Sequence, residues 1–231
     1  MEEILRVGAQ ELGIALREGA VEQLTAYWHL LEEKNKVMNL TAISGEEDCA
    51  RLHFLDCAAL LRGRSLAGKS LIDVGSGAGF PGLVLKILEP ELQLTLLDSL
   101  GKRVEFQKEV CAALGLEVTC LHARAEEAAE LYGQFDFSTA RAVSRMRMLT
   151  ELCLPFVKKG GSFLAMKGPE PEEEVQEAKN AIRILGGELK GVEKYPVPGT
   201  DAVHSIAEVK KIAPTPKQYP RSWAKIKKSP L

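Results

Sequence analysis

Leu24, Tyr27, Trp28 and Leu31 stand at i, i+3, i+4 and i+7, the spacing of one apolar helix face. Upstream, Ile4, Leu5, Leu12, Ile14 and Leu16 recur at roughly helical intervals. Residues 35–43 (NKVMNLTAI) interrupt this pattern with polar side chains. Ser44 with Glu47 has the form of a capping box, which predicts a third helix over about 46–61. The first 65 residues are therefore expected to be a helical extension.

From Ser70 the pattern changes to short apolar runs: 71–74 (LIDV), 92–98 (LQLTLLD), 116–123 (LEVTCLHA), 135–143 (FDFSTARAV) and 161–168 (GSFLAMKG). Helical patterns fall between and beside them, at about 80–88, 101–115, 125–131 and 147–158. Strands alternating with helices at this rhythm imply an α/β fold with a mostly parallel sheet covered on both faces. A charged helix follows at about 171–185. Beyond it, 187–197 and 204–212 form two further strands joined only by a Pro/Gly loop, so they are expected to pair antiparallel. The expectation is a Rossmann-like, seven-stranded, mostly parallel sheet with the last strand reversed. The core should occupy 66–213, and a basic segment at 214–231 should pack on or next to it.

Composition narrows the class without changing this picture. With 45% hydrophobic and 27% charged residues, the 231-residue chain reads as a soluble globular protein. No apolar run has the length of a membrane helix, and the N-terminal sequence lacks the layout of a secretory signal. Five cysteines without paired spacing fit reduced thiols, and no Cys/His cluster has zinc spacing. A cytoplasmic, metal-free monomer is expected. The net charge of −2 conceals an asymmetry, because the last 23 residues (209–231) contain no acid but several lysines and an arginine. That end suits a polyanion; a solvated tail is the alternative.

The candidate chemistry lies at 73–79, Asp-Val-Gly-Ser-Gly-Ala-Gly, directly after an apolar strand. Gly75, Gly77 and Gly79 permit a tight turn and bring backbone N–H groups to a ligand. Pro81 is expected in the first turn of the following helix. Asp98 ends the next strand, where a carboxylate can accept both hydroxyls of a ribose. Because Gly77, Gly79 and Gly82 also satisfy G-x-G-x-x-G, a dinucleotide site competes. Asp73 tips the reading toward S-adenosylmethionine, since an acid ahead of the first glycine suits an ammonium group and not a pyrophosphate. No second domain for hydride chemistry is evident either. Other acceptors, and a nucleotide-binding module without methyl transfer, remain open here.

Several segments together resemble one family, the bacterial 16S ribosomal RNA guanine-N7 methyltransferases (GidB/RsmG). They are NKVMNLTAI (35–43), RLHFLDC (51–57), DVGSGAGFPG (73–82), LLDSLGKRVEF (96–106) with RAEE (124–127), and ARAVS (140–144) with GGSFLAMKG (160–168). The basic end, TPKQYPR (215–221) and KKSPL (227–231), is similar to that family's terminal motif. The resemblance implies a class I methyltransferase core behind a helical extension. It also implies a guanine in the decoding region of 16S ribosomal RNA as substrate, within the small subunit. Carried over, the cofactor site comprises Gly75, Phe80, Ala125, Glu126 and Arg141, beside Asp73, Gly77, Gly79 and Asp98. Cys57 stands where the family has Ser, and Ser222–Ile226 replaces its Gly-x-Pro turn, which leaves the tail's RNA contacts less defined.

Guanine N7 carries an in-plane lone pair and no proton, so alignment, not a general base, should supply the catalysis, and no catalytic residue is assigned. Around the site, Lys167, Lys217, Arg221, Lys225, Lys227 and Lys228 are candidate RNA contacts. Arg141 divides between a ligand role and a salt bridge. Lys102 and Arg103 open a helix against its dipole, a mild sign of a ligand. His53 and Asp56, at i and i+3, suit either a cleft or a helix-surface pair docking the extension. Asn39 and Thr41 suit either a pocket-side loop or a turn. Trp223 suits base stacking or packing against the sheet, and Trp28 the core.

Overall fold

A computed structural model describes residues 1–141 and 144–231. Seven strands form one sheet: β1 (Ser70–Val74), β2 (Gln93–Asp98), β3 (Thr119–His122), β4 (Phe135–Arg141), β5 (Val157–Lys167), β6 (Gly187–Pro196) and β7 (Val203–Lys211). Their order is β3-β2-β1-β4-β5-β7-β6. The pairs among β1 to β5 are parallel, whereas β7 is antiparallel to both β5 and β6. The reversed last strand matches the sequence expectation. Its insertion between β5 and β6 is new. The more apolar strand takes the inner place: Ser205, Ile206, Ala207 and Val209 are buried, while β6 alternates toward solvent at the sheet edge.

The two-residue period of the strands sorts their side chains into two layers. Leu71, Leu94 and Leu96 join a cluster with α5 (Gly82–Leu88), α6 (Gly101–Leu114) and the N-terminal helices. Ile72 and Leu97 join the opposite cluster with α7 (Met146–Cys153) and α8 (Glu172–Ile184). Strand order reverses between β1 and β4, so their C-terminal ends diverge and leave a crevice there.

The N-terminal residues form α1 (Glu2–Glu11), α2 (Ala20–Met38) and a helical run over 46–61. That run is α3 (Glu46–Cys49), a π-helical stretch Ala50–Leu55, α4 (Asp56–Ala58) and a 3-10 turn Ala59–Leu61. Leu24, Tyr27, Trp28 and Leu31 are all buried, in the same cluster as α5 and β2, so this extension shares the core's hydrophobic interior. The expected capping box does not form. Gly45 is the N-cap without a side-chain bond, and Glu47 pairs instead with Arg51, four residues on, at 3.0 Å.

Three expected helices are revised. Residues 125–131 make two 3-10 turns, Ala125–Glu127 and Ala129–Leu131. The helix expected to 158 is α-helical only to Cys153; Pro155 has no N–H to continue the ladder, the chain tightens into a 3-10 turn at Leu154–Phe156, and β5 begins at Val157. Pro81 stands at the N-cap of α5, one position ahead of its first turn. Of the strand expected at 135–143, Ala142 and Val143 lie outside the described residues.

At the C-terminal end, α9 (Trp223–Lys228) buries Ile226 against the α7/α8 layer, with Tyr219, Trp223 and Leu231 packed beside it. Trp223 is thus a packing residue.

Candidate functional site

A cavity of about 900 Å³ opens at the crevice, between the β1 loop, the ends of β2, β4 and β5, and the 40–56 segment. Its walls include Gly75, Gly77, Phe80, Asp98, Arg103, Arg141 and Lys167. Asp73, Gly79, Ala125 and Glu126 do not line it.

The glycine loop is held from three sides. Tyr27 on α2 donates its hydroxyl to the Ala78 carbonyl at 2.6 Å. Gln107, fully buried on α6, donates to the Ser76 hydroxyl at 2.9 Å and the Gly77 carbonyl at 2.8 Å. Gln107 escaped the sequence reading because an isolated amide on a helix gives no signal of what it faces. Asp98 accepts the Gly77 N–H at 2.8 Å and the Leu100 N–H at 2.9 Å, with Arg103 Nη1 3.7 Å away. A carboxylate has about four lone-pair positions, so Asp98 keeps capacity for further donors.

The glycines serve different ends. Gly77 has φ +59°, and a Cβ there would meet nothing nearer than the Gly75 carbonyl at 4.0 Å, so its open side admits a ligand. At Gly79, with φ +104°, a Cβ would lie 2.8 Å from Leu83 Cγ and 2.9 Å from the Tyr27 hydroxyl. Its missing side chain makes room for protein, which corrects the expectation of ligand approach there.

Asp73 is also placed differently from expectation. It is completely buried beneath the loop, where Oδ2 accepts the Gly82 N–H at 2.8 Å and orients the start of α5. Its Oδ1 is buried with no partner among the described residues, and burial pushes its carboxyl well above the usual range. Ala125 is buried, and its carbonyl accepts the Tyr132 hydroxyl at 2.7 Å. Glu126 stands 3.8 Å from Arg124.

On the other side of the cavity Arg141 joins the extension to β4. It donates to Asp56 Oδ2 at 3.2 Å, the Leu52 carbonyl at 3.1 Å and His53 Nδ1 at 2.7 Å, and lies 5.0 Å over the Phe80 ring. His53 stacks on the same ring at 4.3 Å. Burial, then the Arg141 charge, pushes the His53 pKa down to about 3. Asp56 also accepts the Tyr195 hydroxyl and His204 Nδ1, both at 2.7 Å. Burial raises its pKa, but the His204 bond and Arg141 outweigh this and leave it lowered. His53 and Asp56 are therefore both buried and at the cavity wall, where their bonds to Arg141 dock the extension onto β4. Asn35 brackets the Thr41 backbone with two 2.9 Å bonds, and Thr41 lines the cavity.

The basic candidates separate. Lys167 lines the cavity but is paired with Glu174 at 2.7 Å and donates to the Ser144 carbonyl at 2.8 Å. Arg221 is clamped on Glu151, so its reading as an RNA contact gives way to a structural one. Lys217, Lys225, Lys227 and Lys228 are exposed.

Such an arrangement can bind and align. One side offers the open backbone at Gly77 and the Asp98 carboxylate, the other the stacked rings of Phe80 and His53. Among the described residues no His/Cys/Asp/Glu group could hold a metal ion, and no helix is long and apolar enough to cross a membrane.

Comparison with known proteins bears on this geometry. The family described as rRNA small subunit methyltransferase G (GidB) matches residues 20–198. The chain is 46% identical over 233 residues to "Ribosomal RNA small subunit methyltransferase G" of Alkaliphilus metalliredigens, covering 99% of this chain and 98% of that one. It is 42% identical to the Clostridium perfringens protein of the same name, again over 99% and 98% of the two chains. Among solved structures it resembles a SAM dependent methyltransferase from Aquifex aeolicus, with a TM-score of 0.53 at 20% identity over 71% of this chain and 93% of that one. The fold is the class I methyltransferase fold.

Proposed function

This chain belongs to the rRNA small subunit methyltransferase G family, and we propose that it methylates N7 of a guanine in the decoding region of 16S ribosomal RNA, using S-adenosylmethionine. One observation carries the cofactor reading. The open side of Gly77 and the carboxylate of Asp98 face one cavity at the point where strand order reverses. Asp98 would accept the ribose hydroxyls, and the open backbone at Gly77 would admit the ligand without Cβ interference. The bound sulfonium supplies an electrophilic methyl group. The ring stack of Phe80 and His53 gives the acceptor base a flat wall, and Arg141 locks that wall against the sheet. N7 needs no base to remove a proton, so positioning accounts for the rate. This accords with a cavity whose buried His53 is held neutral.

The exposed lysines of the tail suit the phosphate backbone, and the protein acts as a cytoplasmic monomer without a metal. Purified protein, labelled S-adenosylmethionine and small-subunit particles lacking the mark should yield 7-methylguanosine in 16S RNA, read by mass spectrometry. Unlabelled particles would sink the substrate assignment and favour a small-molecule or protein acceptor. Binding of NADH but not of S-adenosylhomocysteine would sink the cofactor.

A further inference from the structure

The hydrogen-bond chain from Arg141 to Thr41 has a fixed direction. A guanidinium only donates, so His53 Nδ1, 2.7 Å from Arg141 Nη2, must accept. The neutral imidazole then carries its proton on Nε2 and donates to Thr41 Oγ1 at 2.8 Å. The backbone N–H of Ile43 donates to the same oxygen at 3.0 Å. Both lone pairs of the Thr41 hydroxyl are thereby occupied. What remains is its proton, which has no protein acceptor among the described residues, and Thr41 lines the cavity. Thr41 is thus a donor only, at the wall shared with Phe80 and His53.

Purines differ at this point of their N7 edge. Guanine shows two acceptors, N7 and O6, while adenine shows N7 and an amino donor. A hydroxyl that can only donate matches O6 and meets an amino group donor to donor. We propose that the Thr41 hydroxyl reads O6 of the target base and so sets the preference for guanine. This rests on the guanine-N7 reading above.

The test compares kcat/KM on particles reconstituted from semisynthetic RNA carrying guanine or 2-aminopurine at the methylated position. 2-Aminopurine keeps N7 and the 2-amino group but has only hydrogen at C6. Wild-type protein should prefer guanine by about tenfold, the scale of one well-placed hydrogen bond. Thr41→Val should lose this factor on guanine alone and bring the ratio near one. Thr41→Ser, which keeps the donor, should retain the preference. Equal wild-type rates on the two bases overturn the assignment without any variant, so a Thr41→Val protein that failed to fold would not shelter it. A preference that survives in folded Thr41→Val overturns it too. So does a tenfold fall in that variant's S-adenosylhomocysteine affinity, which would turn the hydroxyl toward the cofactor. No transfer to the guanine particle by wild-type protein overturns instead the functional reading beneath it.

Discussion

Glu151, completely buried on α7, holds Arg221 of the C-terminal segment by three bonds: Nη2 at 2.6 Å, Nε at 2.8 Å and the backbone N–H at 2.9 Å. The geometry is bidentate, and the backbone bond fixes where the chain turns toward α9. The most conspicuous cation of the basic tail is therefore its anchor.

Arg221→Ala should act on stability first. Removing one partner strands a buried carboxylate, a loss of about 3 kcal/mol, or roughly 6–12 °C in Tm for a chain of this size. S-Adenosylhomocysteine affinity at 20 °C should stay within about twofold, a change too small to signal a lost contact. A variant with unchanged Tm and weakened RNA binding would restore Arg221 to the RNA surface.

Gly77 and Gly79 should fail in different ways. Gly77→Val places its side chain in the open cavity and should lower S-adenosylhomocysteine affinity more than about tenfold, with Tm falling only by the cost of a left-handed valine. Gly79→Ala overlaps Leu83 and Tyr27 and should cost about 1–3 kcal/mol of stability from overpacking. Calorimetric titration and thermal melts on both variants separate the effects; loss of cofactor affinity confined to Gly79→Ala would invert the assignment.

The Asp56–His204 pair gives a pH signature. The Asp56 hydrogen bond raises the His204 pKa above its ordinary 6.5, against the pull of burial. Its contribution is full below about 6.5 and is lost as pH rises through the folded value. Asp56, lowered from 3.8, contributes above that value and loses its part as pH falls through its folded pKa. The Tm advantage of wild type over His204→Gln should peak near about pH 5–6 and shrink by about pH 8.5. Arg141 and Tyr195, which also face Asp56, and the buried neutral His53 are common to both proteins and cancel in the difference. An advantage equal at both ends of that range would remove the linkage.

RNA binding should be salt-dependent through the exposed lysines. Replacing Lys225, Lys227 and Lys228 together by Gln should flatten the log–log salt slope by about 2 while leaving cofactor affinity intact. A slope identical to wild type would place the RNA surface elsewhere.

Local pattern was enough for much of this protein. Short apolar runs marked the inner strands, because a strand buried on both faces must be apolar whatever it packs against; the edge strand β6 alternates instead. The glycines after Asp73 and the acid ending β2 marked the loop that borders the cavity, because tight turns restrict residue type. Short-range chemistry also misled: the Ser44–Glu47 pair looked like a cap, yet Arg51, one turn on, took the glutamate.

Partners distant in sequence were decided only by the tertiary structure. Nothing local to Arg141 indicates His53, 88 residues earlier, or to Arg221 indicates Glu151, 70 residues earlier. Whether a charged side chain meets solvent, ligand or a buried counter-charge depends on which elements the sheet brings side by side. The insertion of β7 between β5 and β6 likewise emerged only in the fold, where the more buried strand holds the inner place. The sequence alone therefore determined the class of fold and the presence of a glycine-rich loop after β1. Long-range packing determined which acids, cations and hydroxyls are left facing the cavity, since each is assigned by competition among partners that only the folded chain assembles.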